Sequence, residues 1–137
     1  MAAVSHLAEE RVKAVSERFG EGPVTTEHAL DVLYEEHRSR LFRAGLELWI
    51  ASRTDAELAK TLHRAEREVA DRLGELAVQA LGETARRPGF KEDLVIVLAT
   101  IRGLALLAIS NEEGKALAGY WLHTRAWLVP LLAPEAE

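Results

Sequence analysis

Arg102 is the residue of this sequence that most needs a chemical partner. It is the single charged residue within 94–109, where, one threonine aside, the other residues are apolar or small. Because a buried guanidinium without a partner is strongly destabilising, Arg102 must meet an acid, water or a ligand. Two interpretations stay open: Arg102 binds an acidic group of a ligand, or it forms a salt bridge. The salt bridge would lie within the domain or across a dimer interface, with Glu66 or Glu47 as candidate partners.

A histidine and a group of aromatic residues form a second candidate for chemistry. His37 lies in register with a leucine stripe, one turn after Tyr34, and Phe42, Leu46 and Trp49 follow at helical spacing. Small-molecule sites are mostly apolar, with aromatic side chains and a few polar groups, so this pattern indicates a ligand cavity. The alternatives are a hydrogen-bonded core histidine and aromatic residues that belong to an ordinary core.

Catalytic and metal-binding patterns are absent from the sequence. The five histidines form no His-Glu-x-x-His motif and no pair four residues apart. No serine lies in a Gly-x-Ser-x-Gly motif, and the lack of cysteine excludes disulfides and thiolate zinc sites. We therefore predict that the protein is not an enzyme and has no catalytic residue, no metal site and no cofactor. A small helical enzyme with an acid or histidine base is the alternative that the pattern favours least.

Composition and charge narrow the classes of function further. A chain of 137 residues, 48% hydrophobic and 28% charged, is typical of one globular domain, which we predict to span 1–137. The net charge is -5 and acids are interleaved with the basic residues, so the chain alone should not bind nucleic acid. The N-terminus lacks the basic region of a signal peptide, and the apolar run 94–109 is shorter than the roughly 20 residues of a membrane span. We expect a cytoplasmic protein with no membrane partner.

The candidate residues are carried by helices. Apolar residues at steps of three and four predict about five of them. Their ranges are 2–19, about 25–51, about 56–81, about 91–109 and about 112–129. Thr25 or Thr26 is suited to cap the second helix, and Thr54 or Asp55 the third. Pro130 disfavours continuation of the fifth helix beyond about residue 129.

One segment is a candidate for a strand instead. Residues 94–98, LVIVL, are β-branched and apolar, as in a buried strand. The segment nevertheless continues unbroken for another ten residues that are rich in Ala and Leu, and no second strand candidate exists to pair with it. We therefore predict an all-α fold, an antiparallel helical bundle.

The last two helices carry more apolar surface than a five-helix domain covers. The fourth is apolar all round, which calls for burial on every side. The fifth has a row of mostly small residues from Gly114 to Ala126 beside a row of Trp and Leu. We therefore predict a two-fold symmetric homodimer, the alternative being a monomer whose central helix is wrapped internally. The predicted interface residues are Leu98, Ala105, Ala118, Trp121, Leu122, Arg125 and Leu128.

Three segments resemble the effector domain of TetR-type transcriptional regulators. Residues 41–69, LFRAGLELWIASRTDAELAKTLHRAEREV, resemble the part in which a long helix ends in Leu-Trp and an Ala-x-Arg-Thr-Asp-like turn follows. IRGLALL at 101–107 resembles the start of the second-to-last helix core, and AAVSHLAEERV at 2–12 resembles the helix after the DNA-binding head. The resemblance extends over about residues 2–131.

This resemblance implies a helical domain for ligand sensing and dimerisation. Its last two long helices would meet their copies in a four-helix dimer interface, and a small apolar or amphipathic ligand would lie among the preceding helices. The sequence contains no helix-turn-helix head, so DNA binding does not carry over to this chain. The predicted ligand-binding residues are Tyr34, His37, Phe42, Leu46, Trp49, Leu62, Glu66 and Arg102.

The expected function is therefore the effector-binding and dimerisation part of a repressor, whose partners are a second copy and a small-molecule effector. A ligand that binds one arrangement of the helices better would shift the population and change the angle between two DNA-reading heads. The first helix begins at residue 2 without a cap, which fits a natural domain start or the latter part of a longer protein. The alternative function is a stand-alone helical interaction module that binds a different chain.

Overall fold

A computed structural model describes residues 2–109 and 115–134, and it is all-helical there, with no strand. The prediction that the fold is all-α is therefore confirmed for the described residues. The α-helices are α1 (Ala2–Phe19), α2 (Thr26–Glu36), α3 (Arg40–Ala51), α4 (Ala56–Leu81), α5 (Glu83–Arg86), α6 (Phe90–Ile109) and α7 (Lys115–Leu132). A 3-10 turn, Ser52–Thr54, connects α3 to α4.

Side-chain caps fix where the central helices begin. The Thr25 hydroxyl accepts a hydrogen bond from the amide of His28 at 3.1 Å, and the Asp55 carboxylate accepts one from the amide of Leu58 at 3.1 Å. Each cap satisfies an amide that has no partner inside the first turn of its helix. These are two of the residues that the sequence offered as caps, and α4 has the predicted bounds.

The prediction of one helix over 25–51 was wrong, because the chain breaks at residues 37–39. The Ser39 backbone is extended, and its hydroxyl accepts a hydrogen bond from the amide of Phe42 at 3.1 Å, so a new helix starts there. A serine offers the backbone this local alternative to a continuous helix. The break directs α3 against α1 and α4, and this placement creates the candidate site.

The predicted end of the last helix, near 129, was also too early. Within the described chain α7 continues to Leu132 and contains Pro130. Arg87, which follows α5, donates from Nε to the Leu132 carbonyl at 3.0 Å and from Nη2 to the Leu131 carbonyl at 2.6 Å. Carbonyl groups in the last turn of a helix have no hydrogen-bond partner within the helix. The N–H groups of Arg87 satisfy two of them, and this stabilises α7 beyond Pro130.

Two large apolar clusters hold the helices together, beside a smaller one where α1 meets the start of α4. The first joins α2, α6 and α7 around the fully buried Leu30, Val97 and Ile101. The second joins α1, α2 and α4 around Val12, Val15, Val69 and neighbouring residues. In the first cluster Tyr34 stacks on Trp121, with ring centroids 4.3 Å apart. The indole Nε1 of Trp121 donates to Asp31 Oδ1 at 2.9 Å, which satisfies its polar atom at the edge of this core.

Helix α6 is buried on one side and open on the other. Val97, Ile101 and Ala105 face the core, whereas Val95 is 61% exposed and Ile96 53% exposed. Helix α7 likewise leaves large apolar side chains outside, namely Tyr120, Leu122 and Trp127. None of the helices in the described ranges has the length and apolar composition needed to cross a bilayer.

We predict that Ile101→Ala lowers the free energy of unfolding by about 2–5 kcal/mol, because it leaves a cavity in the first apolar cluster. Ile50→Ala, the same change at a side chain 67% exposed on α3, should lower it by no more than about 0.5 kcal/mol. Urea unfolding of the two variants measures the difference. Equal losses would contradict the placement of α6 in the core.

Candidate ligand-binding site

A cavity of about 280 Å³ lies where α1, α3, α4 and α6 meet. Its lining residues are Arg11, Phe42, Gly45, Leu46, Trp49, Glu66 and Arg102. Five of the eight residues predicted to bind a ligand are thus brought together here: Phe42, Leu46, Trp49, Glu66 and Arg102. Trp49, 36% exposed, lies between the cavity and solvent.

A buried arginine organises the polar side of this cavity. Arg11 is 4% exposed, and it donates from Nε to Glu36 Oε1 at 2.7 Å and from Nη1 to Glu66 Oε1 at 3.1 Å. Burial by itself lowers the pKa of Arg11, but the carboxylates of Glu36 and Glu66 more than reverse this, so the pKa of Arg11 is raised. The side chain therefore keeps its charge, and one residue of α1 links α2 to α4.

Arg102 extends this charged cluster to α6. Its Nη2 donates to Glu66 Oε2 at 3.4 Å, so Glu66 lies between two guanidinium groups. The salt bridge within the domain, one of the interpretations left open for Arg102, is thus confirmed with Glu66 as the partner. The contact is long, and the Arg102 side chain is 41% exposed, which is why a charge is tolerated in so apolar a helix.

The Phe42 ring is the apolar centre of the charged cluster. The Arg11 Cζ lies 5.5 Å from its centroid and the Arg102 Cζ lies 5.9 Å from it. Guanidinium groups at such distances are attracted by the face of an aromatic ring. On the side of the neighbouring helix α2, the His37 ring is tilted against Phe42 at 4.7 Å. His37 thus contacts Phe42, which lines the cavity, but His37 does not line it.

His37 has the features of a neutral core histidine. Its Nδ1 donates to the Leu33 carbonyl at 2.8 Å, and this contact places the proton on Nδ1. Glu36 Oε2 lies 3.2 Å from the same nitrogen, and His37 Nε2 has no hydrogen-bond partner among the described residues. Burial lowers the pKa of His37 below its ordinary value; Glu36 opposes this, while Arg102 and Arg11 add to it. The contact with Glu36 therefore joins a neutral ring to a carboxylate.

The structure places two other predicted ligand residues away from the cavity. Tyr34 belongs to the first apolar cluster, stacked on Trp121. Leu62 is buried with Val4 and Leu58, where α1 meets the start of α4. Aromatic and leucine side chains at helical spacing are core residues here, which was the alternative interpretation of the pattern.

Sequence reasoning missed Arg11 and Gly45 as cavity residues. Arg11 follows two glutamates and was counted among the interleaved surface charges. Its spacing held the signal, because it lies four residues after Leu7 and four before Val15, within the apolar stripe of α1. Gly45 is buried on α3, and a methyl group there would meet Leu7 only at an ordinary contact distance of 3.8 Å.

The residues predicted for a dimer interface are mostly not on the surface. Ala105, Trp121 and Leu128 are buried within one chain, and Leu98 packs against the same cluster. Arg125 donates to Asp31 Oδ2 at 2.7 Å inside the chain, and the Ala118 side chain lies outside the described residues. Among the members of the set whose side chains the structure describes, Leu122 is the one strongly exposed apolar side chain, at 58%. The apolar surface of α6 and α7 therefore consists of Leu122 and neighbours of the predicted residues.

A larger cleft, of about 420 Å³, lies between α4 and α6. Its apolar walls include Val78, Phe90 and Leu94, but none of the charged side chains that line it is buried. The smaller cavity differs because a buried guanidinium, a carboxylate and aromatic rings converge on it. Convergent polar groups on an apolar surface are typical of ligand sites.

Comparisons with models of protein families, with curated proteins and with solved structures found no match to this chain. In the ranges 2–109 and 115–134, no three His, Asp or Glu residues are grouped so that they would hold a metal ion. What the cavity offers chemically is a hydrophobic and aromatic surface beside fixed charges.

We predict that Arg11→Met lowers the free energy of unfolding by about 3–5 kcal/mol, since it leaves the buried carboxylate of Glu36 without a cation. The double variant Arg11→Met/Glu36→Leu removes both charges and should recover most of that loss. Urea unfolding at neutral pH measures both, with Arg72→Gln, at an exposed arginine of α4, as control. A double variant no more stable than Arg11→Met would contradict the ion pair as the cause.

We predict that protein stability falls as the pH is lowered below about 6.5 because of His37. Since the pKa of His37 is lowered on folding, the unfolded chain binds this proton first, and the free energy of unfolding decreases by up to about 1.4 kcal/mol per pH unit. Urea unfolding between pH 7.5 and 5.5 should show this dependence reduced in His37→Asn and retained in His63→Asn, at an exposed histidine. An NMR titration that gives the His37 ring a pKa of 6.5 or higher would contradict it.

Proposed function

We propose that this chain is the effector-binding and dimerisation domain of a TetR-like transcriptional regulator, and that it binds a small amphipathic molecule in the cavity between α1, α3, α4 and α6. The observation that carries the proposal is the convergence of Phe42, Leu46 and Trp49 with the charges of Glu66 and Arg102 on one cavity. The resemblance of residues 41–69 to effector domains of that family is the second support for it.

The cavity is suited to a small ligand because its surface is largely apolar and one of its lining residues is partly exposed to solvent. Phe42 and Leu46 offer apolar surface, and Trp49 adds a large aromatic side chain at the opening. Burial of a ligand against such side chains supplies most of the binding free energy, while the polar groups fix its orientation. No catalytic step is needed to account for these residues.

The charged cluster gives a ligand a way to act on distant parts of the domain. A ligand in this cavity contacts α1 through Arg11 and α6 through Arg102. In our proposal α1 continues to the DNA-reading head, which this sequence does not contain, and α6 belongs to the dimer interface. A ligand that prefers one arrangement of α1 relative to α6 would therefore change the angle between two heads.

The outer faces of α6 and α7 are our proposed dimer interface. Seven large apolar side chains in the described parts of these helices are about half exposed or more: Val95, Ile96, Leu106, Leu107, Tyr120, Leu122 and Trp127. Exposed apolar residues on neighbouring helices commonly mark a protein-protein interface, and a two-fold symmetric copy is the simplest partner. A helical interaction module that binds a different chain through the same faces is the second candidate function.

We predict that native mass spectrometry of the purified chain gives a dimer, twice 15.2 kDa, with a small bound molecule. Leu46→Trp, which enlarges a side chain of the cavity, should remain dimeric and lose the bound molecule. Trp127→Glu places a charge on a side chain 73% exposed and should give monomers, because it introduces a charge into the apolar interface. Ile50→Glu, at an exposed apolar residue of α3, is the matched control and should stay dimeric.

Two results would contradict the proposal. A bare monomer for the unmodified chain would remove the dimer and favour the interaction module. A dimer without a bound molecule, which also fails to bind added ten-carbon amphiphiles, would remove the ligand-sensing function.

A further inference from the structure

We infer that the cavity selects amphipathic anions, and that Arg102 is the residue that binds the acidic group. This inference rests on the proposed ligand site and specifies the class of ligand that the site accepts. It is carried by the hydrogen-bonding capacity of the lining residues, by their charge, and by a basic groove beside the cavity.

The polar groups most open to a ligand are the N–H donors of Arg102, whose side chain is 41% exposed against 23% for Glu66. Three charged side chains line the cavity, Arg11, Glu66 and Arg102. Both oxygens of Glu66 already accept a guanidinium N–H, one from Arg11 and one from Arg102. A guanidinium has five N–H groups, and Arg102 uses one of them in a hydrogen bond within the described chain. A ligand group placed beside Arg102 must therefore supply acceptors, as a carboxylate does.

The charge of the lining points the same way. Two positive side chains and one negative side chain line the cavity, whereas Glu36, the other acid of the cluster, pairs with Arg11 and does not line it. Arg102 is the more accessible of the two cations, with a side chain 41% exposed against 5% for Arg11. A planar guanidinium also matches the two oxygens of a carboxylate.

The cluster tolerates an exchange of partners at Arg102. The contact of Arg102 with Glu66, at 3.4 Å, is longer than the contact of Arg11 with Glu66, at 3.1 Å. If a ligand carboxylate takes the place of Glu66 beside Arg102, Glu66 keeps its hydrogen bond from Arg11 and is not left unpaired. A cationic ligand would instead have to compete with both guanidiniums for Glu66, at a like-charge cost.

A basic groove adjoins the cavity across Trp49. The groove is lined by Trp49, Lys60, His63, Arg64 and Arg67, among others, and Trp49 lines the cavity as well. Lys60, Arg64 and Arg67 are exposed and form no salt bridge with any residue in the described ranges. Clustered positive charges raise the local concentration of anions, so an acidic ligand is favoured on approach as well as in the site.

The test compares three probes with the same ten-carbon chain, decanoate, decanol and decyltrimethylammonium, by isothermal titration calorimetry below their micelle concentrations. We expect decanoate to bind about tenfold or more tightly than the other two, which is the effect of one charge-assisted hydrogen-bonded contact. Arg102→Gln should weaken decanoate about tenfold and leave decanol unchanged. Arg72→Gln, which removes an exposed positive charge of α4 outside the cavity, is the matched control and should leave both unchanged.

The contrary outcomes separate this inference from the proposed function. Equal affinity for decanoate and decanol, or decanoate binding that Arg102→Gln does not weaken, overturns the anion site and leaves an apolar ligand site. Preference for decyltrimethylammonium overturns it as well and identifies Glu66 as the binding residue. If none of the three probes binds, or if Leu46→Trp weakens none of them, the ligand-binding function fails too. The comparison of probes uses the unmodified chain, so it does not depend on how well a variant folds.

Discussion

The buried guanidinium of Arg11 is the constraint on which the rest of this structure depends. A charge in the interior is tolerated only when its hydrogen bonds are satisfied, so α2 and α4 must bring Glu36 and Glu66 to it in one geometry. Because Glu66 also contacts Arg102, the requirement extends to α6. Apolar packing tolerates small shifts of one helix along another. The charged cluster tolerates fewer such shifts, because they would lengthen its hydrogen bonds. Helices α1, α2, α4 and α6 are thus held in one arrangement, and α3 packs beside the charged cluster to complete the cavity.

The charged cluster also gives the cavity its asymmetry. One wall is apolar and aromatic, from α3, and the other holds fixed charges from α1, α4 and α6. In our proposal these contacts couple ligand binding to helix position. If a ligand replaces one partner of a charged side chain, the electrostatic environment of the neighbouring charge changes as well. A separate polar cluster, Asp31 with Trp121 and Arg125, connects α2 to α7. None of these three residues lines the cavity. This separate cluster therefore keeps α7 in place in our proposed mechanism while α6 responds.

Much of this fold was predictable from spacing, and the exceptions have physical causes. Helices α1 and α4 had the expected bounds because their apolar stripes are regular and Asp55 caps the start of α4. The break between α2 and α3 was missed since it contains no Gly or Pro and depends on one hydroxyl, that of Ser39. The end of α7 depends on Arg87, a residue more than forty positions away, which no local pattern encodes.

Part of the candidate site was likewise predictable from the sequence, and part was not. Phe42, Leu46 and Trp49 could be grouped from sequence because they share one face of one helix, and Glu66 could be named as a partner of Arg102 by charge. Tyr34, His37 and Leu62 do not line this cavity. Periodicity identifies the face of a helix that points inward, but it does not identify which cluster of residues that face packs against. Arg11 was missed because the two glutamates before it indicate a surface charge. Its position in the apolar stripe of α1, which indicates burial, was not considered.

The same limit applies to the surface of α6 and α7. Both helices are apolar on more than one side, so periodicity alone did not decide which side packs inside the chain. The residues chosen from sequence for an interface include Trp121 and Leu128, which the chain buries itself. The outward side is set by the contacts that α2 makes with both helices.

The measurement that tests the role of the charged cluster most directly is a crystal structure of the chain with decanoate. Our interpretation predicts the decanoate chain against Phe42 and Leu46, with its carboxylate hydrogen-bonded to Arg102. The Arg102–Glu66 contact should then be lost, while Arg11 keeps both Glu36 and Glu66. Decanoate bound in the cleft between α4 and α6 instead, with the Arg102–Glu66 contact intact, would contradict it.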